Sequence, residues 1–148
     1  MKNNRLQTAF LLCALAVAAF FVWKRTKPDE FFPNIGVRVP ASAIVSHQTH
    51  WLLKAEEHRI VLQVPASAWP TLLTQFKAKS GFQDIIPNLK TNYGDFVMGR
   101  ESFFPRRLSG ANAGEFQVQG RDGYAYVCHF LRDNTTGQIW FVGWSPDN

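Results

Sequence analysis

The sequence predicts an α+β domain carried behind one N-terminal membrane-spanning helix, with about five antiparallel strands and one helix packed on the sheet. Three observations carry this reading. An uncharged apolar run occupies Leu6 to Trp23. A single stretch of helical periodicity, Trp69, Leu72, Leu73 and Phe76, follows a strand-like pair. The C-terminal third alternates with a period of two between turn residues.

The apolar run, LQTAFLLCALAVAAFFVW, reaches roughly 27 Å as a helix, near the lower limit for crossing a hydrocarbon core of about 30 Å. Trp23, Lys24 and Arg25 suit an interfacial end. A cleaved signal peptide is a competing reading, with small residues at Ala16 and Ala18, but Phe20 to Trp23 stay apolar where a cleavage region turns polar. A lipoprotein signal at Cys13 competes less well, because Leu12 precedes it. A retained anchor over residues 1–25 is therefore expected, followed by a Pro-containing linker over 26–34 and one domain over 35–148. Basic residues flank the run on both sides and tie the charge rule. The very short N-terminal tail resembles a signal n-region, which favours a single-pass inner-membrane protein with its domain extracytoplasmic.

The net charge is +5, yet from Ile35 onward eleven Lys/Arg against nine Asp/Glu leave only +2. Nucleic-acid binding needs a concentrated basic face, so no nucleic-acid partner is expected. Composition, 46% hydrophobic with thirteen Phe and five Trp, suffices for an ordered core. Cys13 lies in the apolar run and Cys128 in a strand, so the domain has no disulfide to rely on.

Ser46 to Lys54 and Arg59 to Val64 read as the first strands, with Ala55 to His58 as their turn and Ile60, Leu62 and Val64 on one face. In the helix that follows, Ser67 is the expected cap, Pro70 falls in the first turn and Gly81 is the expected stop. VPASA at Val39 to Ala43 and again at Val64 to Ala68 reads as shared local chemistry, Pro, then Ser as a cap, then a helical turn, and not as a repeat. Phe82 to Gly114 has no sustained period but many apolar residues, so it is expected to wrap the domain. Glu115 to Gln119, Tyr124 to Arg132 and Gln138 to Trp144 then form a meander, with turns at Gly120 to Gly123 and Asp133 to Gly137. The last two strands are apolar on both faces and need cover on both.

PASAIVSH, a first strand pair, a Val-Pro-led helix and a closing hairpin with Thr-Gly in its turn resemble small bacterial membrane-anchored or lipoprotein-like proteins of unknown function. The resemblance spans most of the domain. It implies an extracytoplasmic setting and carries no activity.

The residues nominate no catalytic, cofactor or metal set. His47 and His50, three apart in a strand, point to opposite faces. His58 reads as a turn residue, and His129 adjoins Cys128 on the other face. Cys128 among Tyr, Val and Phe reads as an inert buried thiol. Neither Ser102 nor Ser109 sits in a nucleophile elbow, and the glycines miss phosphate-loop spacing. One constellation, Phe103, Phe104, Arg106 and Arg107, joins aromatics to an adjacent arginine pair, a composition enriched where surfaces recognise partners. The expected function is a non-enzymatic envelope protein that binds another protein or a surface component. The alternatives are a small-ligand binder whose pocket is lined by Tyr126, Trp140 and Trp144, and an enzyme with dispersed residues.

Overall fold

The computed structural model describes residues 30–52, 55–85, 103–105, 108 and 110–145, together with Leu15. The expected anchor, Leu6 to Trp23, lies outside the described residues except for Leu15. No helix among the described residues is long and apolar enough to cross a membrane.

The closing strands set the architecture. Along β6 (Gln138–Trp144), Ile139 and Phe141 face one way while Trp140, Val142 and Trp144 face the other. β5 (Ala125–Asp133) sends Tyr126, Cys128 and Phe130 to the first side and Leu131 to the second. Strands apolar on both faces belong in the middle of a sheet, and these two occupy it. Among the described residues, six strands form one antiparallel sheet in the order β1-β2-β6-β5-β4-β3, with β1 Ile44–Leu52, β2 Ala55–Gln63, β3 Ser80–Ile85 and β4 Ala111–Gln119.

The sheet thus has one strand more than expected. Ser80–Ile85 lies against β4 with Gln83 opposite Glu115 and Ile85 opposite Ala113. Its pattern was illegible because the register shifts between Ser80 and Gln83, which breaks the alternation. Gly81 is not the helix stop: its φ of 62° serves this irregularity, and the helix has already ended at Lys77. The expected turn at Ala55 to His58 is also corrected. These residues open β2, where Glu57 pairs with Trp144 and His58 with Gly143. Polar side chains at the end of a strand imitate a turn when read singly.

Among the described residues, two α-helices cover one face. α1 (Phe31–Asn34) comes from the stretch read as a linker, yet Phe31 and Phe32 are buried in the core. Phe31 meets Tyr126 and Phe141 edge-on at 5.4 and 5.9 Å. It lies over Gly143, where a Cβ would collide with its ring. Asn34 fixes the position of α1: its amide donates to Asp122 Oδ2 at 2.7 Å, and its Oδ1 accepts from the Asp122 N–H at 3.0 Å. The packed domain therefore begins before Ile35.

α2 (Trp69–Lys77) buries Trp69, Leu72 and Phe76 on the predicted stripe. Each such side chain contributes about 1.5–3 kcal/mol on burial. Its N-cap is Ala68, with no side-chain cap bond, so the expected Ser67 cap does not form. The Ala68 and Trp69 N–H groups instead donate to the Pro65 carbonyl at 3.0 and 3.2 Å. In the other VPASA copy, Ala43 N–H donates to the Pro40 carbonyl at 2.9 Å, so the two copies share a Pro-led turn, but neither serine caps it.

The β5–β6 turn forms as predicted. Asp133 accepts from the Thr135 N–H and from the Thr136 hydroxyl, each at 2.8 Å. The Thr135 N–H, followed by the Thr136 hydroxyl, holds the Asp133 carboxyl below its ordinary range. A carboxylate whose folded pKa is depressed stabilises the fold above its unfolded pKa, and that contribution is lost as pH falls through the folded value. Asp133→Asn should therefore cost about 1 kcal/mol near neutral pH. The gap from the native chain should narrow below about pH 3.9, as measured by denaturant unfolding at both pH values.

Candidate functional site

The sheet face away from the helices carries most of the residues that the sequence nominated. Phe104 is buried there with Ala113, Leu131 and Val142, and Phe103, Trp140 and Trp144 pack around them, partly exposed. Phe103 meets Phe104 edge-on at 5.3 Å. The register that places Glu57 opposite Trp144 and Arg59 opposite Val142 brings ionisable groups onto this apolar floor.

Those groups are ordered by one another. Arg59 Nε donates to Glu57 Oε1, and only 2% of the Glu57 side chain is exposed. The Arg59 guanidinium also stands 6.0 Å from the centre of the Phe103 ring. His129 stacks on Trp144 with centroids 4.8 Å apart and planes 14° from parallel, and its Nδ1 lies 3.7 Å from Glu115 Oε2. A buried carboxylate needs its cation, since removing one partner strands the other charge. Glu57 and Arg59 thus hold each other in place beside two half-buried indoles.

Tyr126 is not part of this surface. It is 1% exposed on the helix side, under Phe31, and its hydroxyl donates to Asp122 Oδ2 at 2.8 Å. Burial, and then the Asp122 carboxylate, push the phenol well above its ordinary range. The expected pocket that joins Tyr126 to Trp140 and Trp144 is corrected accordingly, because the sheet lies between them. The cause is register: Val127, not Tyr126, pairs with Trp144. Arg106 and Arg107 lie outside the described residues.

On the helix side, Cys128 is fully buried and burial pushes its thiol far up, which matches the inert reading. One histidine differs from expectation. His47 and His50 do lie on opposite faces, as register partners of Ile60 and Glu57. His58, however, is buried inside β2, and its Nδ1 lies 3.0 Å from His47 Nε2. A sequence signal for this pair existed, since Glu56, His58, Ile60 and Leu62 continue one alternation. Extending β2 back along it would have set His58 diagonally across from His47.

Comparisons with protein-family models, with curated proteins and with solved structures find no match to this chain. The fold and the site define it as a small α+β domain with one helix-covered sheet face and one aromatic, ion-paired face.

Proposed function

We propose that this chain is a membrane-anchored, non-enzymatic binding protein that recognises an envelope protein or surface component through the sheet face bearing Phe103, Trp140 and Trp144. The observation that carries the reading is the placement of two half-buried indoles beside the ion pair of buried Glu57 with partly exposed Arg59. Tryptophan and arginine in partly desolvated settings dominate recognition energies. The apolar run from Leu6 to Trp23 supports attachment to a membrane. An extracytoplasmic domain is part of the proposal.

The test places a photo-crosslinking residue at Trp140 or Trp144 in the full-length chain within intact membranes. A discrete adduct is expected from those positions and not from exposed Ser67 behind β2. No adduct, or the same products from all three positions, overturns the reading. Paired C-terminal fusions should give alkaline phosphatase activity without green fluorescence, and the converse would put the domain in the cytoplasm.

A further inference from the structure

The β1–β2 register sets His47 opposite Ile60 and Thr49 opposite His58. His47, Thr49 and His58 therefore stand together on the helix-side face, at the sheet edge. His47 Nε2 lies 3.0 Å from His58 Nδ1, and Thr49 Oγ1 lies 3.5 Å from each of these nitrogens. A neutral N–H···N hydrogen bond accounts for the first distance. The Thr49 hydroxyl stands at the outer limit of a hydrogen bond to either nitrogen.

One geometry accounts for all three edges. Donors about 2.0–2.2 Å from a shared cation, at angles of about 90–110°, stand about 3.0–3.5 Å apart. We propose that His47 Nε2, His58 Nδ1 and Thr49 Oγ1 form one side of a binding site for a divalent transition-metal ion of the imidazole-preferring class, copper, nickel or zinc.

The surroundings fit that class. Glu56 Oε1 lies 3.3 Å from His58 Nε2, so a proton on that nitrogen faces the carboxylate, and the tautomer that carries it there leaves the Nδ1 lone pair toward His47 and Thr49. A carboxylate behind a ligating imidazole fixes its tautomer and raises its basicity. The Phe31 ring lies over His58 at 4.3 Å and holds the imidazole in place. His47 and Thr49 are half-buried on the edge strand, which leaves an approach for an ion. Binding requires His47 to carry its proton on Nδ1, so the neutral imidazoles lose no proton overall. Among the described residues no group of three His, Cys, Asp or Glu converges, and the donor set is two imidazoles and one hydroxyl. The site lies across the sheet from Trp140 and Trp144, and its test stands apart from partner recognition.

The experiment titrates the full-length chain in detergent with Cu²⁺, Ni²⁺ and Zn²⁺ separately by calorimetry, and records the electron paramagnetic resonance of the copper form. A saturable isotherm with one ion per chain is expected for at least one metal, with nitrogen hyperfine coupling in the copper spectrum. His47→Ala, on the half-buried edge, should weaken binding about tenfold or more while its circular dichroism stays native. His50→Ala, on the opposite face, should bind as the native chain does. Absence of saturable binding to all three ions overturns the site. So does undiminished binding by His47→Ala, or an equal loss in His50→Ala.

Discussion

Phe76→Ala should destabilise the domain by about 3–5 kcal/mol, the range for emptying a large aromatic site in a packed core. Phe76 is fully buried at the centre of the helix-side core. Its ring meets those of Phe116, Phe130 and Phe141 at 5.2, 5.0 and 5.8 Å. These three residues come from β4, β5 and β6, so the cavity would open against strands that cannot collapse together without breaking their register. In a domain of this size the loss corresponds to a fall in Tm on the order of 15 °C or more. Thr71→Ala, on the exposed side of the same helix, should move stability by no more than about 0.5 kcal/mol. Thermal and denaturant unfolding of both variants measure the contrast. A small effect at Phe76 would mean that α2 does not carry this core.

Gly137→Val should be the most damaging change outside the core. Gly137 closes the β5–β6 turn with φ at 75°, a conformation that costs a β-branched residue about 1–3 kcal/mol. A second cost adds to it. A Cβ at this position would stand 2.5 Å from the Val64 carbonyl oxygen, which belongs to backbone and cannot rotate away. The same approach carries the Val64 N–H to Gly137 O bond of 3.1 Å, which ties the exit of β2 to the turn. Overpacking of this kind adds on the order of 1–3 kcal/mol. Denaturant unfolding of Gly137→Ala beside Gly137→Val separates the cost of any Cβ from that of the branched methyls. Alanine shares the strain and the clash at Cβ, so only the extra loss in valine measures the branched methyls.

What was legible in the chain was whatever repeats within a few residues. The stripe Trp69, Leu72, Leu73 and Phe76 has helical spacing; Trp69, Leu72 and Phe76 are buried and Leu73 is partly buried against the same core. Gln138–Trp144 alternates, and that strand has the predicted bounds. β3 is not legible because its shifted register destroys the period of two. The start of β2 was missed because Glu56, Glu57 and His58 are polar, and their partners lie elsewhere: Trp51, His50 and Thr49 in β1, and Trp144 and Gly143 in β6. Phe103 and Phe104 were singled out for their composition, and they do sit with Trp140 and Trp144. Tyr126 was grouped with those tryptophans by side-chain type, but pairing across β5 and β6 puts it on the other face.

The sequence by itself determined the class of the domain, the amphipathic helix, the two-faced closing strands and the β5–β6 turn, since each depends on neighbouring residues and intrinsic backbone preference. The tertiary structure alone decided the sixth strand, the entry of Phe31 and Phe32 into the core, and the separation of Tyr126 from the tryptophans. It also decided the meeting of His47 with His58. Each of these is a matter of register or of packing between distant segments. A shift of one residue in a strand exchanges the faces of every side chain on it, and only the sum of the cross-strand contacts selects which face is which.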